Sequence, residues 1–518
     1  MQRQVVGDDL GRTDAGGQRP LHGQRPLPGR FFAILALFVL AVMGLYLISS
    51  SRASPLGFPL DDAWIHQTYA RNLGLRGEWA FIPGHPSAGS TSPLWSALLA
   101  LGYLLRINPF VWTFLLGGLS LLGLALAGEA WFRASLSRPW PAFPLAGLFL
   151  AGEWHLVWAS VSGMETLLFG LFILLVLWQI SRASNAKNES NALWGAIGLL
   201  IGISVWVRPD GLTLLGPAVM VLLLVKPSWK ARLHSLVWLG AGAAIFFTPY
   251  LFFNWKVSGS ILPNTFYAKQ AEYAAQRSLP LVQRFFNEAT LPLIGAGLFL
   301  LPGFVAFVWK SFRERQWAAM GAILWFLGYA LLYALRLPVT YQYGRYFMPA
   351  MPVFFVTGLL GTWDLVSHLR GNRMAWLLAR VAMLSGGIVW AAFTLQGAAR
   401  YTTDVTFIQT NMVAPAQWVA AHTEPDALVA AHDIGAIGYF GQRQILDLAG
   451  LVSPEVIPFI RDENQLSGWL DRQQVDYLVV LNGWYTHLAD GKPVVFQAGD
   501  GAETLPMDNQ MVIYKWKP

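Results

Sequence analysis

The chain has 518 residues, of which 55% are hydrophobic and 13% are charged, whereas soluble domains usually carry about 25% charged residues. Apolar runs of about 18 residues or more recur from Phe31 to Leu395, and each is long enough to cross a bilayer. The formal net charge of +7 comes mostly from short loops between these runs, which membrane topology explains better than nucleic-acid binding. The absence of cysteine excludes disulfides, thiol nucleophiles and cysteine-ligated zinc. The composition therefore predicts a polytopic α-helical membrane protein.

Residues 1–30 are rich in Gly, Gln, Arg and Pro and show no apolar period, which predicts a disordered cytoplasmic tail. A polar stretch of this length before an apolar run from Phe31 to Ser50 argues against a cleaved signal peptide. We therefore expect the first span to lead outward, into a first external loop formed by residues 51–108.

Residues 31–397 are predicted to form a transmembrane domain of about 11 helices. The apolar but short segment Pro93–Arg106 is predicted as an external juxtamembrane helix rather than a crossing. After the first span, the predicted spans are Pro109–Phe132, Trp140–Ser160, Thr166–Ile180, Leu193–Val207, Gly211–Val225, His234–Asn254, Ala289–Trp309, Trp317–Leu335, Phe347–Asp364 and Met374–Gln396.

The basic residues support this topology, because every short loop assigned to the cytoplasm carries at least two of them. These residues are Arg133 and Arg138, Arg182 and Lys187, Lys226, Lys230 and Arg232, Lys310, Arg313 and Arg315, and Arg370 and Arg373. The opposite loops, and everything after about residue 397, are then expected outside the membrane.

Residues 398–518 have an ordinary charge content and short β-like runs, which predict a small extracytoplasmic α/β domain. The predicted strands are Ala427–Ala431, Gln444–Leu446, Tyr477–Leu481 and Met511–Tyr514, and the predicted helices are Ala414–His422 and Gln465–Gln473.

The stretch Pro59–Trp95 follows the first span, opens with Asp61 and Asp62, and ends in a loop rich in Gly, Pro, Ser and Thr. A polar, acid-led segment between spans is costly unless it lines a wet, functional cavity. The two carboxylates could act as a general base, as metal ligands or as the ion site of a transporter, and one of them could simply cap a helix. We interpret the stretch as the active-site loop of a membrane enzyme.

Other ionisable residues on the predicted external face are candidates for lining the substrate. His66, Tyr69 and Arg71 follow the acidic pair on an amphipathic segment, and His66 is either a metal ligand or a hydrogen-bonded lining residue. Glu165 lies in a short external connection, where it either faces the site or caps the next span.

Cations stand beside carboxylate, aromatic or amide side chains in three more external segments. Arg208 and Asp210 lie at a helix break, where a plain ion pair is the alternative interpretation. Lysine and arginine are the natural partners of a phosphate group. The residues predicted to bind a phosphate-bearing ligand are Arg208, Lys269, Arg345, Tyr267 and Tyr346, with Asp210 and Asn264 as further lining residues.

The order of these segments resembles the GT-C superfamily of membrane glycosyltransferases, in particular bacterial arabinofuranosyltransferase-like and mannosyltransferase-like members that use polyprenyl-phosphate sugars. The resemblance is carried by DDAWIHQTYARNL…FIPGHPSAGSTSPLW (61–95), SGMETLLF (162–169), RPDG (208–211), LPNTFYAKQ (262–270), GRYFMPAMP (344–352) and DIGAIGYFG…LDLAGLVSPE (433–455).

This resemblance implies an inverting sugar transfer on the outer face of the cytoplasmic membrane, with an aspartate of the pair as the base. We predict Asp61 for this role and Asp62 as second choice, with the donor phosphate against the three cations. The acceptor is a hydroxyl of a glycan, lipid or protein, which the C-terminal domain would help to bind through Asp433 and Asp447. No metal ligands are assigned, although a divalent cation is possible. The alternative is a transporter or lipid flippase that uses the acidic pair as an ion site.

Overall fold

The computed structural model describes residues 27–136, 141–185, 191–369, 372–499 and 510–517. Most of the predicted tail (1–30) lies outside these residues, as do Arg138, Lys187 and Arg370 of the predicted basic loops.

Most of the described chain is helical, as the fold-class prediction requires. The helices of the first part are α1 (Gly29–Ser51), α2 (Asp62–Arg76), α3 (Pro93–Leu104), α4 (Pro109–Ser135), α5 (Leu145–Gly152), α6 (Trp154–Ser160), α7 (Thr166–Asn185), α8 (Asn191–Val207), α9 (Leu215–Val225) and α10 (Trp229–Ser258). They are followed by α11 (Asn264–Glu272), α12 (Leu281–Ala289), α13 (Leu301–Arg313), α14 (Trp317–Arg336), the single turn α15 (Tyr341–Gly344), α16 (Met351–His368), α17 (Arg373–Ile408), α18 (Ala414–His422), α19 (Gly435–Phe440) and α20 (Glu463–Gln473).

Among the described residues, eight helical segments are long and apolar enough to cross a membrane. Two further predicted spans correspond to shorter apolar helices, α8 and the segment Pro209–Val225. The predicted span Trp140–Ser160 is divided into α5 and α6, because Glu153 adopts an extended conformation and its side chain caps the second helix at Leu156 N. The predicted external segment Pro93–Arg106 is helix α3, which packs against α2.

The C-terminal region contains a five-stranded mixed sheet. Its strands are β3 (Leu428–Ala431), β4 (Gln444–Asp447), β5 (Tyr477–Leu481), β6 (Val494–Gln497) and β7 (Met511–Lys515), and a separate hairpin of β1 (Ala80–Ile82) and β2 (His85–Pro86) lies in the first external loop. The strand order is β4-β3-β5-β7-β6. Strand β3 is parallel to its neighbours β4 and β5, and β7 is antiparallel to its neighbours β5 and β6. All four predicted strands are present, whereas β6 and the hairpin were not predicted.

The two faces of this sheet are covered by different helices. Val429 of β3 belongs to the large core that also contains Ile437 of α19. Ala430, the next residue of the same strand, belongs to a separate cluster with Leu466 and Leu470 of α20. The large core extends without interruption into the membrane helices, so the sheet is packed onto the membrane part of the chain.

Helix α17 connects the two parts directly. It runs over 36 residues from Arg373 to Ile408 and continues through a π-helical turn, Gln409–Val413, into α18. The domain boundary predicted between residues 397 and 398 therefore falls inside a continuous helix.

Candidate active site

A cavity of about 450 Å³ opens between the predicted first external loop, the helix break at Arg208, helix α11 and the end of α14. Its lining combines polar and apolar side chains. The polar lining includes Asp62, His66, Glu165, Arg208, Asp210, Gln270, Lys269, Arg336, Arg345, Tyr333 and Tyr346. The apolar lining includes Ile65, Met164, Leu212, Leu262, Phe266, Leu332, Leu337 and Leu451.

Asp62 lies in this cavity among cations. Its Oδ2 is 2.6 Å from Arg345 Nη2 and 3.8 Å from Lys269 Nζ. Burial opposes ionisation of the carboxyl, but the two cations outweigh this effect and hold the pKa of Asp62 well below its usual range. Both cations also donate to the Tyr346 hydroxyl, Lys269 at 2.9 Å and Arg345 at 3.0 Å. Asp62 is therefore a carboxylate whose charge is neutralised by residues of two distant segments.

A left-handed turn presents Arg345 to the cavity. Gln342, Tyr343 and Gly344 have φ angles of 51°, 60° and 69°, a conformation that is unfavourable for residues with a side chain. The turn is held in place by the Tyr343 hydroxyl, which donates to the Asp404 carboxylate at 3.0 Å. Asp404, on α17, also accepts from Trp158 Nε1 at 2.9 Å. The strained backbone is thus fixed from outside the turn, next to the cationic residue.

The third predicted cation, Arg208, has its own partners. Its Nη2 is 3.1 Å from Asp210 Oδ2 and donates to the Tyr333 hydroxyl at 2.7 Å. Tyr333 in turn donates to Asp210 at 2.6 Å. The Arg208–Asp210 ion pair considered from the sequence is present, and it lies in the cavity wall.

His66 and Glu165 form the remaining polar side of the cavity. His66 Nε2 is 3.5 Å from Glu165 Oε2, and its Nδ1 is 2.9 Å from Ser96 Oγ. The other Glu165 oxygen is 3.8 Å from Arg208 Nη1. Burial lowers the pKa of His66, although Glu165 and Asp62 oppose the shift.

Asp61 is directed away from the cavity, toward the C-terminal domain. Its two carboxylate oxygens accept hydrogen bonds from the backbone N–H groups of Gly435 at 2.7 Å and Ala436 at 2.8 Å. Burial and the neighbouring Asp433 carboxylate raise the pKa of Asp61 to about 7. Although they are neighbours in sequence, the two aspartates therefore have different surroundings.

The contribution of Asp61 to the stability of the folded chain should decrease as the pH rises from about 4 to about 7, because folded Asp61 holds its proton more tightly than unfolded Asp61 does. The stabilisation from Asp61 is fully present below the pKa of Asp61 in the unfolded chain. It is lost as the pH rises through the pKa of Asp61 in the folded chain. Asp433→Asn removes one cause of the raised pKa of Asp61 and also the carboxylate that raises the pKa of His432, and both changes should make the dependence of stability on pH shallower in the variant. Thermal unfolding of both proteins in detergent at pH 5 and pH 7.5 measures the difference, and equal slopes would contradict the assignment. Asp447, whose pKa burial raises to about 6, contributes equally to both proteins.

Four residues predicted as donor-binding or lining are not part of the cavity wall. Tyr69 donates to or accepts from Ser87 Oγ and accepts from Gly89 N, so it holds the external loop. Arg71 donates to the Tyr439 carbonyl at 2.8 Å. Asn264 donates to the Leu451 carbonyl at 3.3 Å, and Tyr267 is 40% exposed. Arg71 and Asn264 therefore connect the membrane part to the C-terminal domain.

Tyr333 and Arg336 line the cavity but were not predicted as site residues. Tyr329 and Tyr333 lie four residues apart in the C-terminal part of the otherwise apolar helix α14, and both donate to Asp210. This spacing puts two hydroxyl groups on one helix face, which is the signal that could have indicated them.

The cavity does not offer a divalent cation a set of ligands. Asp62, Glu165 and Asp210 each face an arginine, lysine or histidine rather than one another. Within the described ranges, no group of three or more His, Asp or Glu side chains could hold a metal ion.

Known sequences resemble this chain in part. A model of a domain of unknown function, DUF8728, matches residues 398–514. The terminal β-(1→2)-arabinofuranosyltransferase of Mycobacterium tuberculosis is 28% identical over 224 residues, which are 41% of this chain and 35% of that protein. The match thus spans about a third of the length of this curated relative.

Solved structures match nearly the whole chain. ArnT from Cupriavidus metallidurans bound to undecaprenyl phosphate has a TM-score of 0.59 at 14% identity, covering 94% of this chain and 98% of that one. Archaeal oligosaccharyltransferase AglB from Archaeoglobus fulgidus, in complex with an inhibitory peptide and a dolichol-phosphate, has a TM-score of 0.55 at 11% identity, covering 87% and 69%. The resemblance noted in the sequence is therefore confirmed for the architecture: the chain is a multi-pass membrane protein with the GT-C fold of membrane glycosyltransferases.

Proposed function

We propose that this protein is an inverting glycosyltransferase that moves a sugar from a polyprenyl-phosphate donor to a hydroxyl acceptor. The observation that carries the proposal is the combination, in one cavity, of apolar lining residues with a polar cluster in which Arg345 and Lys269 contact Asp62, and Arg208 lies near the Tyr346 ring. An amphiphilic donor needs both kinds of lining. A lipid-linked donor also explains why the site is built between membrane helices.

The phosphate would bind against Arg345 and Lys269, with Arg208 further along the wall. Arg345 Nε has no hydrogen-bond partner among the described residues, so the guanidinium retains a free donor for an anion. The complexes of ArnT with undecaprenyl phosphate and of AglB with a dolichol-phosphate support this class of ligand. The isoprenoid chain would lie along the apolar wall formed by residues such as Leu332 and Leu337.

Asp62 is the aspartate that we now assign as the base, because it faces the cavity whereas Asp61 does not. Without donor, its low pKa makes it a weak base. A donor phosphate competes for Arg345 and Lys269, which frees the carboxylate and raises its pKa. Asp62 then accepts the proton of the acceptor hydroxyl, whose oxygen forms a bond to the anomeric carbon while the bond from this carbon to the phosphate oxygen breaks. The cations stabilise the charge that develops on the departing polyprenyl phosphate.

The basic loops support an orientation in which this cavity and the C-terminal domain face away from the cytoplasm, in the cytoplasmic membrane. The transporter alternative has no specific observation in its favour. We therefore infer an extracytoplasmic transferase.

The test is release of sugar by the purified full chain from radiolabelled polyprenyl-phosphate arabinofuranose, mannose and related donors. We expect release from at least one donor. Arg345→Lys should lower the rate of release about 10- to 100-fold, because lysine keeps the positive charge but cannot donate two parallel hydrogen bonds to a phosphate as the planar guanidinium does. Arg76→Lys, at an exposed position at the end of α2, is the matched control and should leave the rate unchanged. No release from any donor by the wild-type protein would overturn the proposal.

A further inference from the structure

A second, smaller cavity lies at the carboxyl ends of the parallel strands. His432 follows β3, and Trp484 and Tyr485 follow β5. The chain leaves β3 for β4 through α19 on one face of the sheet and returns to β5 through α20 on the other. The ends of β3 and β5 therefore flank the point at which the strand order reverses, where open α/β sheets commonly bind ligands.

The lining of this cavity is polar and balanced in charge. It contains Glu272 of α11 together with His432, Arg461 and Glu463 of the C-terminal domain. His432 Nε2 is 3.2 Å from Glu272 Oε1, and the carboxylates of Asp433 and Glu272 raise the pKa of His432 to about 10 despite its burial. The two cations offset the two glutamates, and the nearby Asp433 adds a negative charge. This balance disfavours an anionic ligand and suits a neutral ligand with several hydroxyl groups.

An indole side chain remains partly exposed beside the cavity. Trp484 is 41% exposed, and the centroid of its ring is 4.6 Å from that of His432, with an angle of 46° between the two ring planes. The Glu463 carboxylate accepts from the backbone N–H groups of residues 486, 487 and 488, so the loop that carries Trp484 is held in place. The buried hydroxyl of Tyr485 has no hydrogen-bond partner among the residues that the structure describes. An apolar ring face next to a free hydroxyl matches the two kinds of surface that a sugar offers.

The size of the cavity indicates how such a ligand would sit. It holds about 60 Å³, whereas a cavity needs roughly 10–15 Å³ to hold one water molecule. This space admits a hydroxyl or hydroxymethyl group, and the rest of the sugar unit would lie against Trp484.

We propose that this cavity is a saccharide subsite that holds a neutral sugar unit of the acceptor, with Trp484 under the ring and Tyr485, His432 and Glu272 at its hydroxyl groups. The acceptor role rests on the proposed transferase function. Helix α11 joins the two sites, because Glu272 lies one turn after Lys269, which faces Asp62. An acceptor chain held at this subsite would be anchored about one helical turn along α11 from the donor phosphate.

Saturation-transfer NMR on the full chain in detergent tests the subsite without donor turnover. The probes are methyl glycosides of arabinofuranose, mannose, glucose and galactose and their disaccharides. We expect binding of at least one probe, weakened roughly 5- to 10-fold by Trp484→Ala and about 3- to 10-fold by Tyr485→Phe, which removes only the hydroxyl. Trp418→Ala is the control, because the Trp418 ring packs against Phe496 of strand β6, at the far edge of the sheet, and it should bind like wild type.

The outcomes separate the two proposals. Binding that is equal in wild type, Trp484→Ala and Tyr485→Phe, or no binding of any probe, overturns the subsite even if sugar is released from a donor. Binding that depends on Trp484 and Tyr485 in a protein that releases no sugar supports the saccharide subsite and overturns the transferase. Preference for sulfated or phosphorylated glycosides would also overturn the inference, because binding of anionic glycosides requires a cavity with a net positive charge.

Discussion

Asp62→Asn is expected to lower sugar transfer by about 10²–10⁴-fold, the usual contribution of a general base, and to leave the affinity for polyprenyl phosphate unchanged or higher. The carboxylate competes with the donor phosphate for Arg345 and Lys269, which lie 2.6 Å and 3.8 Å from Asp62 Oδ2. Asparagine keeps the shape of the side chain but removes both the proton acceptor and this competing charge. A loss of rate without a loss of donor binding is the signature of a base rather than of a binding residue.

Asp61→Asn is the matched control, since it makes the same chemical change one residue earlier. Its oxygens are occupied by the backbone N–H groups of Gly435 and Ala436, so we expect a loss of less than about tenfold in transfer and a change in stability. The measurement is the single-turnover rate of sugar release together with binding of unlabelled polyprenyl phosphate for both variants. A larger loss of rate in Asp61→Asn than in Asp62→Asn would refute the assignment and restore the sequence-based preference for Asp61.

The residues of the cavity were largely accessible from the sequence, because the membrane constrains where polar groups can lie. Once the spans were placed, Asp62, Glu165, Arg208, Lys269 and Arg345 fell on one side of the bilayer, and the structure brings all five to one cavity. These residues are far apart in the sequence. They could still be predicted to share a site, because their loops lie on the same predicted side of the membrane and an unpaired buried charge is costly.

The direction of each side chain could not be obtained in this way. Asp61 and Asp62 are neighbouring residues of the same type. The sequence-based prediction favoured Asp61, whose side chain points toward Gly435 and not into the cavity. Arg71 and Asn264 bond to backbone carbonyls of Tyr439 and Leu451, partners far away in the chain. Such contacts depend on how the C-terminal domain packs against the membrane part, and this packing produces no local pattern in the sequence.

Local strain was also beyond sequence reasoning. Left-handed conformations at Gln342 and Tyr343 have no propensity signal, because neither residue favours them. They exist because Tyr343 is bonded to Asp404 on a helix that comes later in the chain. Strand β6 was missed for a related reason: it is an edge strand whose residues Val494 and Val495 are exposed, and its pairing with β7 alone defines it.

Gly435→Ala is expected to weaken the packing of the C-terminal domain against the membrane part, with losses in both stability and transfer. A Cβ at this position would fall on the backbone oxygen of Asp61 and within 2.6 Å of its Oδ2. Neither atom can move easily, because one belongs to the backbone and the other is fixed by two N–H groups. Overpacking of this kind costs about 1–3 kcal/mol or more. The hydrogen bonds to Asp61 would be lost at the same time, since they require the close approach that only glycine permits.

Gly468→Ala distinguishes this effect from a general sensitivity to alanine. Gly468 lies inside α20, and the nearest atom to an added Cβ is Arg472 Nη1 at 3.5 Å. Alanine there should be neutral or should stabilise the chain by up to about 1 kcal/mol through helix propensity. Thermal unfolding in detergent, limited proteolysis after residue 408 and sugar release should all change in Gly435→Ala and remain at wild-type levels or better in Gly468→Ala. If Gly435→Ala instead retains wild-type unfolding and protease resistance, the contact between Asp61 and α19 does not hold the two parts together, and Asp61 does not have the structural role that its hydrogen bonds to α19 indicate.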